Sequence, residues 1–399
     1  MTLWAEAKLG DVCDLVGGGT PSKSNSTFYE GIIPWATVRD MRSELLSDTQ
    51  YAISQDAVTE SSTNIIKADN IVIATRVGLG KACILQQDTA INQDLKAVIP
   101  KDGRLTKPFL FQWLKSVSHV IQAAGTGATV QGVKLPFVKS LVIPLPPIPE
   151  QQRIIAILDQ AFADIEKARA NAEKNLKNAR ELFDSYLNQV VSQRGEGWVE
   201  YNLKDIVTLK GGTTVKKELE KTAGDIAYIK VSGMSLEGNE KEITTANTFL
   251  NGAEINSSNV LPVGTTIFPK RGGAIATNKK RITAIPLCID LNTMGVIPKK
   301  AFILPLYLYF FFKTFDLLSI SNGTTIPQIN NYSFDDLKLS VPDIETQETL
   351  IKKLTQIETS TDDLSFKYEA KLNFLDELKK SLLQKAFSGE LTKTEGMVA

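Results

Sequence analysis

Between residues 154 and 190, apolar side chains recur in steps of 4 and 3: Ile154, Leu158, Ala161, Ile165, Ala168, Ala172, Leu176, Ala179, Phe183, Tyr186 and Val190. That spacing lays an apolar stripe along one face of a helix and is the mark of a coiled-coil seam. Two successive steps of 4, at 168–172–176, form a stutter that locally relaxes supercoiling. The pattern returns 196 residues later at Leu350, Leu354, Ile357, Thr361, Leu364, Tyr368, Leu372, Leu375, Lys379, Leu382 and Ala386, with nine of the eleven apolar and the stutter kept. The spacing predicts two helices of about 40 residues, each roughly 60 Å long. They are expected to pack on each other antiparallel, since the chain returns through a whole domain between them. Ile154, Leu158, Ile165, Leu176 and Phe183 of the first helix are expected to meet Leu350, Leu354, Ile357, Leu364, Leu372, Leu375 and Leu382 of the second.

The segments outside the two seams have another character. NIVIAT, KSLVIPL, GTTIFP and DLKLSVP are short apolar runs bounded by Gly, Pro and Asn, and they read as strands. KPFLFQWLKSVSHVIQAA and LPLYLYFFFKTFDLLSI read as helices. These two segments also repeat. LGDVCDLVGGGT at Leu9 answers LKDIVTLKGGTT at Leu203; IPWATVRDM at Ile33 answers IAYIKVSGM at Ile226. ATRVG around Arg76 answers PKRGG around Arg271, AINQDLKAVIP at Ala90 answers CIDLNTMGVIP at Cys288, and GTGATV at Gly125 answers SNGTTI at Ser321. The matches keep their order at offsets of 193 to 198, which is the signature of a duplication. The expected architecture is α+β: two mixed α/β domains in tandem repeat (1–149 and 194–344), separated by two long helices (150–193 and 345–388) forming an antiparallel coiled coil, then a tail (389–399).

Composition narrows the class. With 43% hydrophobic and 23% charged residues the chain reads as an ordinary globular protein, and no stretch of about 18 uncharged apolar residues predicts a membrane span. The start MTLWAEAKLGD has no basic region followed by an apolar run, so no signal peptide is expected. Cys13, Cys83 and Cys288 are scattered, which fits a reducing cytoplasm and predicts neither a disulfide frame nor a zinc site. His119 is the single histidine, so mechanisms needing two are excluded. Formal net charge is zero, but its distribution is uneven. Residues 103–149 hold Arg104, Lys107, Lys115, Lys134 and Lys139 with no acid, and 255–289 hold Lys270, Arg271, Lys279, Lys280 and Arg281 with no acid.

No catalytic motif survives inspection. GGGTPSKS at Gly17 resembles a phosphate-cradling loop but has Ser22 in place of the second glycine, and its repeat lacks a hydroxyl after the lysine. LPPIP at Leu145 is similar to the catalytic loop of amino-methyltransferases but lacks its polar first residue and its aromatic. PDIE at Pro342 and ELK at Glu377 place their carboxylates about 50 Å apart along one helix. No catalytic residue and no metal ligand is assigned. What remains are loops that set Gly beside Thr, Lys and Arg, which permits close approach to phosphates and reach toward base edges. The candidate DNA-binding residues are Thr20, Lys23, Arg39, Arg76, Lys81, Thr129 and Lys134 in the first half. In the second half they are Thr214, Lys216, Lys230, Lys270, Arg271, Lys279, Thr324 and Gln328.

LPPIPEQQRIIAILDQAFADIEKARANAEKNLKNARELFDSYLNQV resembles the central conserved region of type I restriction–modification specificity subunits, and LNFLDELKKSLLQKAFSGEL resembles their C-terminal conserved region. LGDVCDLVGGGTP and LKDIVTLKGGTT are similar to the openings of their target recognition domains. The resemblance covers nearly the whole chain. One departure is that the second PLPPIPEQQ is eroded to VPDIETQET, which weakens the helix-entry motif but is not expected to change the architecture. The resemblance implies a subunit that reads a bipartite site in double-stranded DNA and has no active site of its own. It also implies two modification subunits that bind S-adenosylmethionine and methylate adenine, and restriction–translocase subunits that use ATP and Mg. Two other classes stay open at this point: a coiled-coil scaffold with two peptide-binding domains, and a self-sufficient DNA enzyme.

Overall fold

The computed structural model describes residues 4–127, 131–323 and 326–392. The chain forms two compact units. One contains residues up to 173 together with 370 onward; the other contains 174–369.

In the first unit a five-stranded sheet has the order Cys13–Gly17, Leu95–Pro100, Ile71–Ala74, Ala82–Leu85, Leu45–Leu46. A four-stranded sheet has the order Tyr51–Ile53, Ile33–Ala36, Thr89–Ile91, Asn64–Ile66. Ala5–Lys8 pairs with Val142–Leu145. The second unit repeats the five-stranded order with Val207–Gly211, Thr293–Pro298, Thr266–Pro269, Arg281–Thr283 and Glu242–Ile243. Its other sheets are Phe249–Leu250, Ile226–Ile229, Leu287–Ile289, and the pair Val199–Asn202 with Lys338–Val341. The fold is thus mixed α/β and duplicated, as the internal repeat predicts. The segment expected as one helix over 107–124 divides into Lys107–Ser116 and Ser118–Ala123; its counterpart is Pro305–Thr314 followed by a short turn, Leu317–Ile320. In both, a proline stands in the first turn, where no backbone N–H is needed. Burial pushes the thiols of Cys13, Cys83 and Cys288 up, to about 12, 11 and 11. No helix among the described residues is long and apolar enough to cross a membrane.

The long helices are Ile148–Ser192 and Ile344–Ser388. Within the first unit, Ile154, Leu158, Phe162 and Ile165 share a core with Leu375, Leu383 and Ala386, so early residues of one helix meet late residues of the other and the segments run antiparallel. Within the second unit, Phe183, Leu187 and Val190 share a core with Leu354, Leu350 and Ile357, again antiparallel. Of the expected seam residues, Leu176, Leu372 and Leu382 are half-buried. Leu364 is 39% exposed, contrary to expectation. The covered stripe there runs Leu354, Glu358, Thr361, Ser365, Tyr368, Leu372, Leu375, still in steps of 4 and 3. Ser365 thus takes the place expected for Leu364. The cause is polar: Glu358 accepts from Lys313 (2.8 Å) and Lys241, which turns that face inward.

Burial alone would raise the Glu358 carboxyl, but the Lys313 charge and hydrogen bonds from both lysines hold it below the usual carboxylate range. A depressed folded value stabilises above the unfolded value and is lost as pH falls through the folded one. Glu358→Gln should therefore lower stability by about 1–3 kcal/mol near neutral pH. In urea titrations the gap to wild type should shrink as the pH drops below the ordinary glutamate value of about 4.3; a gap that stays the same through that range would show that the ionised carboxylate adds nothing over its neutral form.

The second helix starts as the first does although its PLPPIPEQQ copy is eroded, as expected. Buried Gln151 accepts from the Thr106 N–H (2.9 Å) and donates to the Arg104 and Pro146 carbonyls (2.7 and 2.9 Å). Gln347, at the matching position, accepts from the Leu304 N–H (2.8 Å) and donates to the Phe302 and Pro342 carbonyls (2.9 and 2.8 Å). Asp343 adds a cap by accepting from the Thr346 N–H (2.8 Å). The essential element of the motif is its glutamine, which the second copy keeps.

Candidate nucleic-acid interface

Each GGT loop is pinned to its unit by an aromatic residue of a neighbouring strand. In the first unit Trp35 Nε1 donates to the Gly19 carbonyl (3.2 Å) and Asn64 donates to the Gly17 carbonyl (2.8 Å). In the second, Tyr228 OH donates to the Thr213 carbonyl (3.1 Å). The glycines are required by close approach. A Cβ on Gly18 would stand 2.1 Å from the Ile91 carbonyl oxygen, and one on Gly212 would stand 1.9 Å from that of Asp290. The resemblance of GGGTPSKS to a phosphate loop therefore has a packing cause.

The arginine loops and the later Gly-rich loops, far apart in sequence, are joined in both units by the same backbone bonds. Arg76 bridges Gly132, and Thr126 bridges Gly132; Arg271 bridges Gln328, and Asn322 bridges Gln328. Val133 N–H donates to the Thr75 carbonyl (2.9 Å), as Ile329 N–H does to the Lys270 carbonyl (2.9 Å). Val77 donates to Gln131 and Gly272 to Pro327. Val77 and Gly78 (φ 49 and 70) turn the first loop tightly, and Gly272 (φ 70) turns the second. The result in each unit is a backbone platform carrying an exposed arginine at its edge.

In the first unit this edge borders a cleft of about 730 Å³. Thr20, Lys23 and Arg39 line it with Val77, three aromatics (Tyr29, Trp35, Tyr51) and the run Asn92, Gln93, Asp94. Trp35 packs edge-on to Tyr29 (5.9 Å) and Tyr51 (6.4 Å). Trp35 is buried, whereas Tyr51 is 44% exposed. Thr20 hydrogen bonds Gln93, and Arg76 lies 3.6 Å from Asp94. Sequence reasoning missed Tyr29, Tyr51, Asn92 and Gln93. The strand register places Tyr51 across from Trp35, and Tyr29 comes in by packing edge-on to the same Trp35.

The other expected residues fall as follows. Lys81 is exposed beside the Gly78 turn, and Lys134 is exposed at the start of the short helix Leu135–Ser140. Thr214 and Lys216 are exposed after the second GGT loop. Lys270 is half-buried; burial first, then the Arg271 charge, lowers its amine. Lys279 hydrogen bonds Ser235, and Gln328 bonds Asn330 (2.9 Å). Lys230 is held by both oxygens of Glu220 (2.8 and 2.7 Å), so its charge is compensated inside the unit. Thr129 and Thr324 lie outside the described residues.

The basic windows are partly structural. Arg104 pairs with Asp102 (2.8 Å) and Lys115 with Glu44. Buried Lys280 donates to Asn278 and to the Phe315 carbonyl, and burial lowers its amine to about 8. Arg281 donates to the Met234 and Lys280 carbonyls. That leaves Arg271 exposed in the second window, with Lys270 and Lys279 half-buried.

Comparison with known proteins follows the same repeat. The family described as type I restriction modification DNA specificity domain matches residues 1–174 and again 195–373. The chain is 38% identical over 159 residues to the specificity subunit of the Escherichia coli type I restriction enzyme EcoR124I/EcoR124II, covering 38% of this chain and 39% of that subunit. It is 23% identical to the MjaIX specificity subunit of Methanocaldococcus jannaschii over 98% of this chain and 94% of that one. A chain solved in work on complex assembly and conformational transition of the type I R-M system superposes with a TM-score of 0.79 at 18% identity, covering 97% of this chain and 98% of that one. The HsdS subunit from Thermoanaerobacter tengcongensis superposes at 0.65 with 17% identity, covering 97% of each chain.

Proposed function

Since the chain belongs to the type I restriction–modification DNA specificity family, and is a DNA-recognition subunit of that kind, we propose that its two units each read one part of a bipartite site in double-stranded DNA. The observation that carries the reading is the repeated platform: Arg76 over its Gly132 bridge and Arg271 over its Gln328 bridge. A guanidinium on rigid backbone beside a glycine turn can meet a phosphate or the O6/N7 edge of guanine. We further propose that the chain carries no chemistry of its own. Two modification subunits supply S-adenosylmethionine-dependent adenine methylation, restriction–translocase subunits supply the ATP- and Mg-dependent steps, and the assembly works in the cytoplasm.

The test is charge removal at Arg76, Lys81, Lys270 and Arg271. Each lost phosphate contact should lower the slope of log affinity against log salt by about one, and each lost bidentate base contact should cost about 1–3 kcal/mol. Affinity and slope unchanged in the fourfold variant would remove these residues from the interface.

A further inference from the structure

The two units hold one scaffold and two different linings, and the difference locates the residues that choose the bases. The inference rests on the DNA-reading function. The GGT loops, the aromatic clamp on each loop and the arginine platform recur in both units. Around the cleft of the first unit several lining positions differ in the second, Thr37, Val77 and Asn92 against Lys230, Gly272 and Asp290 among them, and four of the differing positions bear on base choice. Arg39 is the second residue of the turn Val38–Asp40, and Ser232 is the second residue of the turn Val231–Ser235. Tyr51 lies across from Trp35 in its sheet; the strand of Tyr228 meets Thr248 there, through the Tyr228 N–H to the Thr248 carbonyl (2.8 Å). Gln93 and Asp94 correspond to Leu291 and Asn292, fixed by the Thr75 N–H to Asp94 and Lys270 N–H to Asn292 carbonyl bonds (2.8 and 2.7 Å).

We infer that Arg39, Tyr51, Gln93 and Asp94 determine the base preference of the first unit, and Ser232, Thr248, Leu291 and Asn292 that of the second. The chemistry at these places suits the role. Arg and Gln carry the paired donors and acceptors that separate guanine from adenine in the major groove, whereas Ser, Thr and Leu offer a hydroxyl or a methyl contact. Asp94 acts as a positioning residue by holding Arg76 (3.6 Å) at the cleft edge; Asn292 gives Arg271 no matching acid. Residues shared by both units, such as Thr20 and Thr214, cannot distinguish two different half-sites. Duplication lets exposed positions drift anywhere, but here the divergence lies inside a cleft whose aromatic clamp and platform bonds recur.

The experiment uses the full chain assembled with its partner subunits and a pool of randomised DNA duplexes, sequencing what is retained. The variant Arg39→Ser, Tyr51→Thr, Gln93→Leu, Asp94→Asn should change the selected bases in one half of the site and leave the other half as in wild type. An unchanged selected site overturns the inference. Arg39→Ser and Gln93→Leu made singly guard against misfolding, since both side chains are exposed. Each should reduce preference at one or two base pairs by roughly ten- to hundredfold, a loss larger than any on unrelated duplexes. An equal loss on every duplex also overturns it, because that is how a phosphate contact behaves. If the wild-type assembly selects no sequence at all, the DNA-reading function itself fails.

Discussion

Gln151→Leu should destabilise the first unit by about 3–6 kcal/mol, a large part of the 5–15 kcal/mol that a domain has in hand. Leucine is close in size and apolar, so it leaves no cavity worth the name. What it leaves is one N–H, that of Thr106, and two carbonyls, those of Arg104 and Pro146, without their partner around a side chain that is fully buried. Each such group costs about 1–3 kcal/mol. Gln151→Glu keeps an acceptor for Thr106 but turns a carboxylate oxygen toward two carbonyls, so it should be no milder and should worsen as pH rises. Gln347→Leu should do the same to the second unit through Leu304, Phe302 and Pro342. Urea unfolding gives the magnitude, and hydrogen exchange should show lost protection at Thr106 and the first turn of the long helix. A loss below about 1 kcal/mol would mean water or a shifted backbone satisfies these groups, and the glutamine clamp would be incidental.

That clamp also marks how far the sequence could be read. The apolar steps of 4 and 3 placed both long helices, and the ordered matches at Leu9, Ile33, Arg76 and Ala90 showed the duplication, because both signals are local or self-comparing. Gln151 and Gln347 were visible only as part of a string, and a polar residue in such a string carries no period. The same blindness misplaced the seam at Leu364, where Glu358, Thr361 and Ser365 form a covered stripe that hydrophobicity cannot detect. Charge windows misled for a related reason: they count lysines and arginines without their partners. Lys115 is matched by Glu44 and Arg104 by Asp102, while Lys280 is buried against a carbonyl. The cleft was least legible, since it joins Thr20, Arg39, Tyr51 and Gln93 through strand register rather than sequence proximity.

A fragment of residues 1–193 should form a tight dimer through a twofold axis and, with the modification subunits, methylate a palindrome built from the first half-site alone. In the full chain Ile154 and Leu158 are covered by late residues of the second helix, Leu383 and Ala386, whose counterparts in the first helix are Leu187 and Val190. The second unit shows the reciprocal contact, with Leu187 and Val190 against Leu350 and Leu354, the counterparts of Ile154 and Leu158. A second copy of the first helix therefore presents the right residue types at both ends of the stripe. The middle also closes. Phe162 packs under Lys379 (5.1 Å), whose counterpart is Phe183, so in the dimer Phe162 would meet the second copy's Phe183 and an aromatic pair would replace a cation over a ring. Left alone, the fragment would expose these large seam residues, each worth about 1.5–3 kcal/mol when fully buried. Closed pairing on a twofold axis covers them at once. The two identical reading units then meet DNA in opposite senses, which makes the site palindromic. Sedimentation velocity and single-base mapping of methylated adenines check the two halves of this expectation. A monomeric fragment at micromolar concentration, or a dimer that methylates the asymmetric site of the full chain, would show that the two halves are not interchangeable.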